Sequence, residues 1–191
     1  MRARNELELL AALLRYPEAD YVNGAERCFE ALGGGDTEAA VLLGKFLAQT
    51  RDCTMEDLQA LYTSTFDLDP MCTLDLGWHL FGEKYERGEF LVKMRVELRR
   101  LGVGESHELP DHLTHALQAL ARMEAEEAEE FAAACLFPAL DKMCSALDGK
   151  ANPFENVVLA VVRILERRFP RPVLEAVAAS PEFHILDSGG W

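Results

Sequence analysis

The chain has 191 residues, a length that suits one domain with a sizeable core. With 49% hydrophobic and 27% charged residues its composition is globular rather than disordered. Thirty-three acids against 19 bases give a net charge of −14, which argues against a nucleic-acid or anionic-membrane surface, because neutralising phosphates takes Lys and Arg.

A basic partner would complement this charge, although acidity also serves solubility alone. Five scattered cysteines, Cys28, Cys53, Cys72, Cys135 and Cys144, form no Cys-x-x-Cys and are odd in number. They predict reduced, mostly buried thiols in a cytoplasmic protein. Met1 to Asn5 is basic, but Glu6 and Glu8 interrupt the apolar run behind it, so no secretory signal is read there. No stretch approaches the ~18 apolar residues of a membrane span.

In chain order, Leu7, Leu10, Ala11 and Leu14 recur at helical spacing, and Tyr16-Pro17 ends that helix. A second helix is predicted over Ala19 to Leu32, closed by Gly33-Gly34-Gly35. That triple glycine lacks the Lys-Ser/Thr ending of a phosphate loop and reads as a linker. Asp36 is the expected N-cap of a helix over 37–51. Thr54 and Asp57 have the spacing of a capping box, followed by Met55, Leu58, Tyr62 and Phe66 along one face. Asp67 to Pro70 breaks the pattern, and a short helix over Thr73 to Phe81 carries Trp78 and His79.

From Glu83 to Leu101, Phe90, Leu91, Met94, Leu98 and Leu101 share a stripe. Glu83 with Arg87 and Glu89 with Lys93 are spaced as i,i+4 pairs on a solvated face. Gly102 and Gly104 end this helix.

The next begins at Glu108-Leu109-Pro110-Asp111-His112-Leu113. Proline is favoured at a first helical position, so the helix is expected from Pro110 to about Arg122, with Asp111 in its first turn. Leu113, Ala116, Leu117 and Leu120 form its apolar face, His112 its border, and Asp111 and His115 its polar side. A glutamate-rich start at Glu124 leads to Phe131, Cys135, Leu136, Leu140, Met143 and Leu147, with Pro138 kinking or splitting the helix. Asn152-Pro153 starts a last helix through Phe154, Val157, Val158, Val161 and Leu165. Beyond Pro170 a short helix near Val173 to Ala179 and a loose tail follow. The reading is an all-α, single-domain helical bundle over 1–169, with a flexible tail over 170–191.

The residue types bear on four kinds of chemistry. His112, His115 and Asp111, with Glu108 or His79, have metal-ligating types, but the two histidines point about 60° apart on the helix and suit structural roles better. Glu108, Asp111 and His112 can move protons, yet no nucleophile or cofactor motif accompanies them. Cys135 with His112 is an unrelated pair. Amphipathic helices can instead hold a peptide in a groove, with Tyr62, Phe66, Trp78, Phe81, Tyr85, Phe90 and Met94 available and an acidic rim to speed encounter. Most of these side chains suit the core. Tyr62, Phe66, Asp67 and the 108–112 corner stand out as groove lining.

The Glu108 to Leu113 run resembles the signature of the redox-enzyme maturation chaperones (the TorD/DmsD superfamily), in its NarJ-like nitrate reductase branch. Leu61-Tyr62 with Phe66-Asp67, Gly77-Trp78-His79, Gly82-Glu83 and Arg87-Gly88 resemble further blocks of that branch, in order, over about residues 5 to 165. The resemblance implies an all-helical, cytoplasmic, non-catalytic chaperone without a cofactor of its own. It would bind the N-terminal segment of an apo-molybdoenzyme catalytic subunit, of nitrate reductase alpha-chain type, during molybdenum cofactor insertion and before membrane docking. Its peptide-binding residues would be Tyr62, Phe66, Asp67, Glu108, Pro110, Asp111 and His112. A general helical adaptor, or a metal-dependent enzyme using Asp111, His112 and His115, are the rival readings.

Overall fold

The computed structural model describes residues 2–35 and 37–171, and the side chains from Glu6 onward. Among them the regular structure is helical, with a single isolated antiparallel bridge between Asp75 and His112. The expected helix at 173–179 and the tail after it lie outside the described residues.

Helix α1 (Arg2–Leu13) packs on α2 (Tyr21–Ala31), and α2 on α3 (Glu38–Thr50). The cap of α3 is Thr37 rather than Asp36, which lies outside the described residues. The Thr37 hydroxyl accepts the Ala40 N–H at 3.1 Å and donates to the Leu32 carbonyl at 2.9 Å, so one side chain ties the end of α2 to the start of α3. Helix α4 (Met55–Tyr62) opens on the expected capping box, with Thr54 and Asp57 bonded reciprocally. It runs into a π-helical turn, Thr63–Asp67, that turns Thr65 and Phe66 inward and leaves Asp67 exposed.

Helices α5 (Leu76–Phe81) and α6 (Glu86–Arg100) pack together, and α7 (Leu113–Leu120) lies along α1. On α6, Phe90, Met94 and Leu98 are buried as expected. Two of its charges depart from the solvated face. Arg87 turns inward to Asp75 at 3.3 Å and lies over the Trp78 ring, instead of pairing with Glu83. Glu97 is buried and held by Arg100, which also reaches Glu127 across the gap to α8 (Ala125–Phe131).

Pro138 does not break the helical run, which continues from 125 to 147 through a π-helical turn, Ala132–Leu136, directly into α9 (Phe137–Leu147), so the missing proline N–H is met by a local change of helix type rather than a split. Just before helix α10 (Phe154–Arg168), the side-chain Oδ1 of Asn152 accepts the Phe154 N–H at 2.9 Å. The helix packs along α3 and against α9. The core between these layers holds Leu10, Leu14, Phe46, Phe154, Val157 and Val161, each essentially dry. Each such side chain contributes ~1.5–3 kcal/mol by leaving water. Helix α1 is fastened to the end of α10 by Glu6, a buried carboxylate paired with Arg167 at 2.7 Å and Arg168 at 3.2 Å.

Candidate functional site

The proline run forms a corner, and its geometry differs from a helix started at Pro110. Pro110 and Asp111 sit in a turn, and His112 is the N-cap of α7. Residues 74–76 account for the difference. The Leu113 N–H donates to the Leu74 carbonyl at 2.8 Å, and the Leu76 N–H donates to the Asp111 carbonyl at 3.1 Å. These two bonds hold 111–113 extended and delay the helix by one turn.

Asp111 therefore does not serve its own helix. Its Oδ2 accepts the Gly77 N–H at 2.7 Å, at the first turn of α5, 34 residues away in sequence. It is fully buried rather than on a polar face, and burial raises its pKa. Gly77 is required by this arrangement. A Cβ there would stand 2.7 Å from Asp111 Oδ2 and 3.0 Å from Phe90. Asp75 lies close enough for the two carboxyls to oppose each other's ionisation. Burial first, then Asp111, lift Asp75 to about 6, against the pull of Arg87.

His115 is also buried, contrary to the polar-side expectation, and its hydrogen bonds fix its tautomer. The Ser106 N–H donates to Nε2 at 3.0 Å, so that nitrogen carries a lone pair. Nδ1 faces the Leu109 carbonyl at 2.8 Å and must carry the proton. His112 takes the Thr114 N–H on Nδ1 at 3.4 Å, with the Thr114 hydroxyl at 2.8 Å, and its ring meets that of His115 edge-on. Burial, then His115, push His112 down to about 3, so it is neutral. Both His115 nitrogens and Nδ1 of His112 thus brace the segment over 106–114. Among the described residues no three His, Cys, Asp or Glu side chains are grouped to hold an ion. Cys135 is fully buried and burial drives its thiol pKa up, away from nucleophilic use.

Tyr62 and Phe66 are buried and do not line an open groove, which corrects the sequence expectation. Tyr62 donates its hydroxyl to the Leu14 carbonyl at 3.0 Å. Its ring packs on Phe66 at 5.0 Å and on Phe154 at 5.7 Å, and Phe66 meets Phe154 at 5.0 Å. Three rings in edge-to-face contact fill the space a peptide would need. Their surroundings are nonetheless acidic. Besides burial, Glu108, Asp67 and Asp75 all raise the Tyr62 phenol pKa, so these three charges gather around one side chain.

At the surface, Asp67 and Glu108 are exposed, each followed in sequence by an exposed leucine, Leu68 (73%) and Leu109 (41%). Met71 is exposed as well. Sequence reasoning passed over these apolar neighbours. Their signal was a large aliphatic residue directly beside a motif acid, in segments without helical period. The corner is thus a buried support, Pro110, Asp111, His112, Tyr62 and Phe66, beneath exposed acids and exposed apolar side chains.

The nitrate reductase delta subunit family model matches residues 30–154, which contain the whole corner. The chain belongs to that family. Across 129 residues it is 34% identical to the nitrate reductase molybdenum cofactor assembly chaperone NarJ of Escherichia coli K12, covering 65% of this chain and 55% of that one. The same figures hold for the protein of that name from E. coli O157:H7. Over 154 residues it is 29% identical to the nitrate reductase-like protein NarX of Mycobacterium tuberculosis H37Rv, covering 80% of this chain and 23% of the relative. The chain spans about half the length of the E. coli relatives it matches. The E. coli members carry the name of an assembly chaperone. No helix among the described residues is long and apolar enough to cross a membrane.

Proposed function

We propose that this protein is an assembly chaperone for a nitrate reductase-type molybdoenzyme. It binds the N-terminal segment of the apo catalytic subunit and keeps that subunit open while the molybdenum cofactor is inserted, before the enzyme docks on its membrane anchor. The observation that carries this reading is the 34% identity to the E. coli assembly chaperone over a region spanning the corner.

The physics of the corner suits the role. A free N-terminal segment has to order on binding, at a cost of ~2–5 kcal/mol. Burial of apolar surface on Leu68, Met71 and Leu109 offsets this at ~25 cal/mol per Å². The net affinity stays moderate, as a chaperone that must release its client requires. Asp67 and Glu108 supply acidic contacts to a basic segment, with encounter that salt slows. Pro110, Asp111 and His112 hold the corner's shape, and Tyr62 and Phe66 support it from below.

Calorimetry tests this with a peptide copying the first residues of a nitrate reductase catalytic subunit. Saturating heat is expected, weakened about tenfold or more in Asp67→Ala/Glu108→Ala, with thermal stability unchanged because both side chains are exposed. No heat and no chemical-shift change at the corner would overturn the reading.

A further inference from the structure

Helix α6 carries two apolar faces. Phe90, Met94 and Leu98 turn one to the core. On the opposite side Tyr85, Val92 and Val96 stand in water, 81%, 63% and 57% exposed. Tyr85 directly precedes the helix and already has helical dihedrals. At about 100° per residue these three, at i, i+7 and i+11, fall within about 40° of one another. A lone exposed apolar side chain is ordinary, but an aligned set on one helix marks a contact surface. Gly88 lies beside this seam and is exposed, although alanine would serve the helix better. A Cβ there would meet nothing within 4 Å, so the chain's own packing does not call for glycine. The bare position lets another backbone approach closely.

The charges along the helix are sorted by sign. Glu86 and Glu89 lie in its first half, Lys93 and Arg99 in its second. These four make no ion pair among the described residues, whereas Arg95 is taken by Glu105, and Arg100 by Glu97 and Glu127. Three acids against five bases give α6 a charge of +2 in a chain of −14. Two copies that met through the acidic remainder would set like charge against like, and through α6 they do not. A wholly acidic or wholly basic partner would be repelled by one half of this helix. A helix with the same order of charges, running the opposite way, is repelled by neither, and α6 is itself such a helix.

We propose that α6 pairs antiparallel with α6 of a second copy, about a twofold axis at Val92. Val92 then meets Val92 of the second copy, and Val96 packs over its Gly88. Tyr85 reaches its Arg99, a guanidinium suited to the ring face. Glu86 and Glu89 face its Arg99 and Lys93. Every contact occurs twice, as a twofold interface requires. A helix of 15 residues is ~22 Å long, and such a pair buries on the order of 500 Å². That is less than the ~1,200 Å² of a stable interface, so the dimer is reversible, with a Kd on the order of 0.1 mM. The pairing uses no residue of the corner and goes beyond the chaperone reading without depending on it.

Sedimentation equilibrium from ~0.02 to ~1 mM, with salt near ~0.15 M to screen the net charge, tests this. The weight-average mass should rise by about half or more above that of one chain, with amide shifts at 85, 88, 92 and 96 over the same range. Val92→Glu sets two carboxylates together at the axis and should keep the chain monomeric, with its Tm unchanged because the side chain is exposed. Glu86→Arg/Glu89→Arg and Lys93→Glu/Arg99→Glu should each weaken self-association about tenfold, and an equimolar mixture of the two should associate as the parent does. A mass that stays that of one chain up to ~1 mM would overturn the proposal. So would undiminished association of Val92→Glu, which places the second copy elsewhere, or a mixture no better than its components. Shifts over 85–96 produced by the catalytic-subunit peptide at low protein concentration would assign the face to a client and overturn the proposal equally.

Discussion

Replacing Gly77 by Ala tests whether the Asp111 contact organises the corner. The new Cβ would lie 2.7 Å from Asp111 Oδ2, 3.0 Å from Phe90 and 3.3 Å from Arg87 Cγ. Ordinary contact starts near ~3.4 Å, so the carboxyl must recede by ~0.7 Å. It now accepts the Gly77 N–H at 2.7 Å, and that retreat takes the bond out of range. A hydrogen bond to a charged group is worth ~1.5–3 kcal/mol, and crowding Phe90 costs ~1–3 more. Alanine's better helix propensity returns ~1 kcal/mol. The net loss is about 3 kcal/mol, or a fall in Tm of ~6–12 °C for a chain of this length. Urea unfolding followed by tryptophan fluorescence suits the measurement, because Trp78 is the next residue and lies under Arg87. In a double-mutant cycle with Asp111→Ala, the Gly77→Ala cost should shrink by ~1 kcal/mol or more, since the obstacle is gone. An unchanged midpoint in Gly77→Ala, or strict additivity in the cycle, would refute the reasoning.

Acid should weaken the fold through the His112 imidazole and strengthen it through the Asp75 carboxyl. His112 is held at about 3, below its ordinary 6.5, so below that value the unfolded chain takes up a proton that the folded chain refuses. Stability is then lost at up to ~1.4 kcal/mol per pH unit. Asp75, raised to about 6, binds its proton first in the folded state and acts in the opposite sense as pH falls from about 6 towards 4. The urea midpoint at pH 5 should therefore rise above that at pH 7 in His112→Gln and fall further below it in Asp75→Asn than in the parent; identical pH responses in both variants and the parent would rule this out. Tyr62→Phe removes the donor to the buried Leu14 carbonyl and should cost ~1–3 kcal/mol without changing the urea slope. Full stability in that variant would show the hydroxyl to be dispensable.

Features that a residue shares with its near neighbours could be read from the chain alone. Thr54 with Asp57, Asn152 before Pro153, and the stripe Leu113, Ala116, Leu117 and Leu120 all came out where local chemistry put them. The disturbance at Pro138 did too, as a π-helical turn just before it rather than a break, because a missing N–H perturbs a helix in any fold. The site itself was half legible. The run over 108–113 stood out, but its helix start did not, since the bonds from 74–76 override the proline's preference for a first turn. Asp111 and His115 were assigned to a polar face because periodicity describes a helix against itself and is blind to what lies over it. Arg87 left its expected i,i+4 partner for a reason of the same kind: Asp75 and the Trp78 ring offer a drier, more favourable place than open solvent. Tyr62 and Phe66 look identical in sequence whether they line a groove or fill a core.

The bonds between 74–76 and 111–113 also govern how the molecule comes apart. They act as a clasp at the neck of a loop that contains both α5 and α6. While the clasp is shut, neither helix can leave alone. Once it opens, the amides of both should become exchangeable in one step, ahead of α3 and α10, whose mutual packing does not pass through the neck.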